Sequence, residues 1–211
     1  MPHLDFWYEF ASTYSYPAAM RIEAAAKKAG VAVAWRPFLL GPILKAQGLD
    51  TSPFELFPLK GAYMWRDVER ICAGQGLAFR RPDPFPQSGL LAARVALTAA
   101  VAPVRPAFSR KVYQAQFAEG RPIAEEATIA AILAALKLDA AAVLHDARSP
   151  MVKERLRAET AAAMHRHLFG APSFVTGRGE LFWGNDRLDT ALAWAVQETQ
   201  TERASPTGPT S

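Results

Sequence analysis

Hydroxyl side chains gather where an alternating apolar run gives way to a helical one: Phe6-Trp7-Tyr8-Glu9-Phe10-Ala11 leads into Ser12-Thr13-Tyr14-Ser15. A side chain at the start of a helix meets backbone N–H groups without partners and the positive end of the helix dipole. Such a place favours an anion, and a thiol held there loses its proton more readily, as cysteines at helix N-termini do. Ser12 can donate a hydrogen bond to an anion in that position, or it can serve only as a helix cap. Far along the chain, Phe169-Gly170-Ala171-Pro172 is a small-residue turn that ends in proline and runs at once into the β-prone Ser173-Phe174-Val175. Proline there suits a sharp, cis-compatible entry into a strand, because X–Pro bonds have lost most of their trans preference.

The remaining reactive residue types are sparse. Cys72 is the single cysteine, so no intrachain disulfide can form. It shares a helix face with Met64, Val68 and Ile71 and reads as a buried, inert thiol. His165 and His167 stand two apart and point to different helix faces, with no third ligand in view, so no metal site is expected. His167 also shares a helical stripe with Leu156, Thr160, Ala163 and Met164. Asp186 can cap a last helix.

These residues need elements to hold them. Leu4, Phe6, Tyr8 and Phe10 alternate with His3, Asp5, Trp7 and Glu9, the period of a strand. Residues 15–28 read as a helix closed by Gly30, and residues 31–40 as a second strand, together a right-handed βαβ unit. Residues 42–59, with Pro42, Pro53 and Pro58, read as a loop. Helices are expected at 61–75, 88–101, 106–117, 124–136, 138–147 and 150–168, the last with Ser149 as cap and Pro150 in its first turn. Strands return at 173–176 and 180–183 around Gly177-Arg178-Gly179, before a helix to about residue 197. Residues 200–211, rich in Ser, Thr and Pro, are expected to be a disordered tail.

With 211 residues, half of them apolar and 21% charged, the chain can bury a substantial core. The net charge of +4 is spread out. Arg80-Arg81 is the densest basic pair, and no basic tract is interleaved with aromatics, so nucleic-acid binding is not expected. No apolar run approaches the roughly 18–20 residues of a membrane helix. The N-terminus reads as strand rather than as a secretory leader, and a cytoplasmic protein is expected.

A hydroxyl-bearing strand-to-helix turn opposite a proline loop resembles the thioredoxin superfamily, with Ser12-Thr13-Tyr14-Ser15 where redox members carry Cys-x-x-Cys. The replacement removes disulfide chemistry. The order β-α-β, a block of helices, then β-β-α resembles the DsbA-like branch: an α/β thioredoxin-like domain (1–41 and 169–199) with an inserted all-helical domain (42–168). More narrowly, the chain resembles 2-hydroxychromene-2-carboxylate isomerases and the related kappa-class glutathione transferases, to about residue 199. Four segments carry the likeness: Ser12-Thr13-Tyr14-Ser15, Pro58 to Met64, Phe169 to Phe174, and Phe182-Trp183-Gly184-Asn185-Asp186-Arg187-Leu188. Thr13 and Thr51 depart from the family's usual proline and asparagine.

The resemblance implies glutathione as cofactor, with Ser12 beside its sulfur. It implies that Pro172 holds the Ala171 backbone open for β-like pairing with the tripeptide. Asn185 and Asp186 would bind the γ-glutamyl end, and Lys60 the glycine carboxylate or an acidic substrate. Phe38, Phe85 and Tyr14 would line the acceptor pocket, with Arg94 and Tyr63 as further substrate contacts. The implied activity is glutathione-dependent isomerisation of a 2-hydroxychromene-2-carboxylate-type aromatic 2-oxo acid by a homodimer. A kappa-like transferase or peroxidase, and a non-catalytic binding protein, stand as alternatives.

Overall fold

The computed structural model describes residues 1–204, with side chains to residue 201. β1 (His3–Tyr8) lies inside a four-stranded sheet of order β2-β1-β3-β4. β2 (Ala32–Pro37) runs parallel to it, while β3 (Ser173–Thr176) and β4 (Leu181–Trp183) follow in antiparallel fashion. The four expected strands therefore share one sheet. A parallel β1–β2 pair requires a crossover, and α1 (Ser15–Ala29) supplies it. Gly30 stops that helix at φ 68°, where its N–H reaches the carbonyls of Ala26 and Lys27.

Between β2 and β3 lie α2 (Leu40–Ala46), α3 (Pro53–Leu56), α4 (Pro58–Gly74), α5 (Leu90–Ala96), α6 (Arg105–Phe117), α7 (Glu126–Ala135), α8 (Ala140–Asp146) and α9 (Pro150–His165). The expected loop at 42–59 is corrected by α2, α3 and the start of α4. Pro53 and Pro58 occupy first helical positions, where the missing N–H is no loss and the fixed φ suits the helix, and the Ser52 hydroxyl accepts the Phe54 amide as a cap. Ser149 caps α9 as expected, accepting the Val152 amide. That helix ends at His165 rather than 168, and His167 takes a left-handed φ of 57° and is exposed, off the stripe expected for it. The last helix, α10 (Leu188–Ala204), runs past the expected end, so the first residues of the expected tail are helical; residues 205–211 lie outside the described residues.

Two apolar layers sandwich the sheet. Leu4, Phe6, Tyr8 and Phe10 are each at most 1% exposed and join α1, α10 and the inserted helices in one large core. Phe6 stacks on Tyr8 and Phe174 and meets Trp35 edge-on, and Phe10 meets Phe108 and Tyr113 of α6. The opposite side of β1 carries Trp7, which packs with Phe38, Ile43, Ala163, Leu168 and Val175 beneath α9 and α2. This second layer is smaller and is bordered by Asp5 and Glu9.

Candidate active site

The C-terminal end of β1 and the entry to β3 meet at one hydrogen bond. The Ser12 hydroxyl donates to the Ala171 carbonyl at 2.9 Å, across 159 positions of sequence. The Ala171–Pro172 peptide is cis. Hydrogen bonds on both sides fix the loop: Ser173 Oγ donates to the Gly170 carbonyl at 2.8 Å, and the Gly184 amide to the Pro172 carbonyl at 2.9 Å. Gly170 is required by packing, since a Cβ there would come within 2.3 Å of Trp183 Nε1. Trp183 in turn meets Phe169 edge-on, leaving two half-exposed aromatics beside the proline loop.

Ser12 is not the cap residue of α1. Tyr14 holds that position without a side-chain cap, and Ser12 Oγ instead accepts the Ser15 amide at 3.3 Å, one turn ahead of the helix. Thr13 is buried, with its hydroxyl donating to Met64 Sδ at 3.2 Å. Tyr14 donates to Asp67 at 3.0 Å, and burial together with that carboxylate raises its pKa. The turn is thereby pinned to α4.

The 184–189 segment departs from expectation. Asp186 does not cap the last helix, because a 3-10 turn at Asn185–Arg187 intervenes, and the Asp186 side chain is 72% exposed beside Arg187. Asn185 is buried, and its side-chain and backbone oxygens both accept from Arg21 of α1 at 3.2 and 2.6 Å. Arg21 also pairs with Asp189 at 2.9 Å. It therefore stitches α1 to this segment, a role hidden in the sequence because its partners lie 164 and more positions away. Asn185 nonetheless sits next to the proline loop, through the Gly184–Pro172 bond.

Lys60 lies exposed on the first turn of α4, with Nζ 4.7 Å from the Phe57 ring centre. Tyr63 is exposed beneath Arg70. Cys72 is buried, and desolvation pushes its thiol up to about 11. Phe38 belongs to the second apolar layer and Phe85 packs edge-on against Trp65. Among the described residues, no three His, Cys, Asp or Glu side chains gather as a metal site would require, and no helix is long and apolar enough to cross a membrane.

A cleft of about 320 Å³ opens instead between α2, α5 and α9. Leu39, Leu90, Leu156 and Met164 give it apolar walls, and Arg94, Lys153 and Arg157 give it cations. Arg157 pairs with Glu154, whereas the buried Arg94 Nε has no hydrogen-bond partner among the described residues. The walls continue from residues around the turn. Leu90 follows Gly89, which packs on Glu9 and Ala11; Leu39 follows Phe38, whose amide donates to Tyr8; Met164 leads into the 165–171 loop.

The sequence gives Glu9 no functional signal, because alternation assigns it only to the face opposite the main core. Its Oε2 accepts the Ala11 amide at 2.8 Å, next to Ser12, and its backbone carbonyl accepts from Ser12 N at 3.0 Å and from the Tyr113 phenol at 2.9 Å. A Cβ on Gly89 would stand 2.7 Å from Glu9 Oε1, so the glycine lets the start of α5 close over the carboxyl. Burial raises that carboxyl from its ordinary 4.5 to about 7, against the opposing effect of the Ala11 and Ser12 amides.

Comparison with known proteins agrees with this fold. The chain is 29% identical over 187 residues to the 2-hydroxychromene-2-carboxylate isomerase of Sphingobium xenophagum, covering 88% of this chain and 94% of that one. It is 28% identical over 185 residues to the enzyme of the same name from Pseudomonas putida, covering 88% and 90%. A solved 2-hydroxychromene-2-carboxylate isomerase structure superposes with a TM-score of 0.85 at 24% identity, over 97% of this chain and all of that one. The cytosolic disulfide reductase DsbM from Pseudomonas aeruginosa, solved with GSH, superposes at 0.65 and 18% identity over 95% and 99%. The DSBA-like thioredoxin domain model matches residues 3–194, and the chain belongs to that family.

Proposed function

We propose that this protein is a glutathione-dependent isomerase of aromatic 2-oxo acids of the 2-hydroxychromene-2-carboxylate type. The observation that carries the reading is the 2.9 Å bond from Ser12 to Ala171, which joins a hydroxyl ahead of a helix to the carbonyl before a cis-proline. That pairing fits a tripeptide thiol. Ala171 lies just ahead of β3, where an extended peptide can add β-like hydrogen bonds. Likeness in sequence to two proteins named as such isomerases supports the same reading.

Glutathione, once bound, would supply a sulfur nucleophile for reversible addition to a conjugated carbon of the ring-opened acid. The chain does the rest. Ser12 turns its hydroxyl from the Ala171 carbonyl towards the sulfur and stabilises it as thiolate, helped by the amides ahead of α1. The Ala171 carbonyl, once released, would be free to accept a backbone amide of the tripeptide. Asn185 and Asp186 orient the γ-glutamyl end, and Lys60 answers the glycine carboxylate. The α2–α5–α9 cleft, near the lower end of the roughly 300–1,000 Å³ usual for small-molecule sites, takes the aromatic acid, with Arg94 facing its carboxylate. Assembly as a cytoplasmic homodimer belongs to the same reading.

The test is ultraviolet monitoring of 2-hydroxychromene-2-carboxylate conversion by purified protein, with and without glutathione. Conversion that needs both protein and glutathione is expected. Calorimetry that finds no glutathione binding to the folded protein would sink the proposal and favour a binding role.

A further inference from the structure

Glu9 is a titratable group that the reaction scheme leaves without a task, although it touches the turn that carries the scheme. Its carboxyl occupies the Ala11 amide, the donor next to Ser12, at 2.8 Å. α5 closes over the other oxygen through the Cβ-free side of Gly89. No cation pairs with Glu9 among the described residues, and the titratable groups near it do not neutralise it. Tyr113 of α6 donates its phenol to the Glu9 backbone carbonyl, and burial keeps that phenol protonated. Tyr8 of the same strand is buried, raised in pKa and bonded to Ser109. Arg94 lies more than a turn further along α5 and lines the cleft.

A carboxylate and a ligand thiolate would thus sit within one turn of backbone, drawing on the same few amides. Two like charges so close disfavour each other's ionised forms. We infer that Glu9 is a positioning residue of the thiol site, an internal anion that holds the Ala11–Ser12 turn and takes up a proton when a thiolate forms beside Ser12. The balance is simple: the ligand S–H bond breaks with the electron pair left on sulfur, an O–H bond forms on Glu9, and both changes reverse when the thiol leaves. A carboxyl raised to about 7 is poised for this exchange near neutral pH. The inference rests on the glutathione reading above.

Its test uses the folded full chain and glutathione as the probe. Calorimetry at pH 7 in buffers of different ionisation enthalpy, read beside ultraviolet thiolate absorbance, gives protons released per thiolate formed. The expected count is well below one for the wild type and close to one for Glu9→Gln. A full proton per thiolate in the wild type overturns the inference, as do equal counts in the two proteins. The positioning half has its own readout in the Ala11 amide NMR signal of the ligand-free protein. That signal is expected to move with pH near neutrality in the wild type and to stay flat in Glu9→Gln; a flat wild-type signal overturns it. Should Glu9→Gln fail to fold, Glu9→Asp keeps the charge on a shorter arm. It is expected to keep a count below one while the Ala11 response shrinks, and an undiminished response counts against the clamp. Failure of the glutathione reading looks different, since no binding at all would then be seen.

Discussion

The two sides of β1 are built to opposite ends. On one, Leu4, Phe6, Tyr8 and Phe10 enter the larger apolar core, where the Tyr8 phenol is bonded to the buried Ser109. On the other, Asp5, Trp7 and Glu9 combine charge, a buried indole Nε1 without a partner and a carboxyl whose ionisation burial opposes. Asp5 is answered by Arg36 and His3, whereas Glu9 stands beside Ser12 with no cation paired to it among the described residues. Most of the buried apolar side chains lie on the first side, and the second sets polar groups beside its smaller apolar layer. The Glu9 carboxyl is such a group at the candidate site, where chemistry needs charge that a core forbids.

Substitutions on the two sides should therefore differ in kind. The largest effect is expected from Phe6→Ala, which empties the centre of the aromatic layer. It should cost about 3–5 kcal/mol of unfolding free energy by urea titration. A loss below about 1 kcal/mol would remove the contrast between the sides. Ser12→Ala should leave stability within about 1 kcal/mol but slow glutathione-dependent isomerisation roughly ten- to a hundredfold, the worth of one lost hydrogen bond to a charged group. An unchanged rate would make Ser12 only a structural hydroxyl.

Glu9→Gln should act through pH. A carboxyl raised from 4.5 to about 7 on folding binds more protons in the native than in the unfolded state between those values. Wild-type stability should fall as pH rises through that window, by on the order of 2 kcal/mol after allowance for partial exposure, and the loss is complete above about pH 7. The variant lacks this slope, so it should match the wild type near pH 4 and exceed it at pH 8. Parallel pH profiles would show that Glu9 carries no such burden. Asp186→Ala should have the smallest effect. Its exposed carboxylate faces water, so glutathione affinity should weaken only a few-fold, at most about 1 kcal/mol. A hundredfold loss by calorimetry would mean that the loop closes over the ligand and desolvates the pair.

How much of this was legible in sequence followed how local each signal was. The β1 alternation, the Gly30 stop and the Ser149 cap depend on neighbours within a few residues, and each was readable. The junction of Ser12 with the proline loop was readable only through family likeness, since nothing local joins positions 159 apart. The helices at 40–57 were hidden by prolines that read as breakers yet sit in first turns. Asp186 was misassigned as a cap because an inserted 3-10 turn leaves no composition signal. Glu9 was invisible because its burial comes from Gly89 and α5, eighty residues on, and alternation alone points it at solvent.

The central claim is that the Ser12 turn holds glutathione as its thiolate. It is tested most directly by the ultraviolet thiolate absorbance of bound glutathione against pH, for wild type and Ser12→Ala side by side. The expected result is a wild-type titration displaced to lower pH than that of free glutathione, with Ser12→Ala returning most of the way. A bound thiol that titrates like free glutathione, or identical curves for the two proteins, would contradict it.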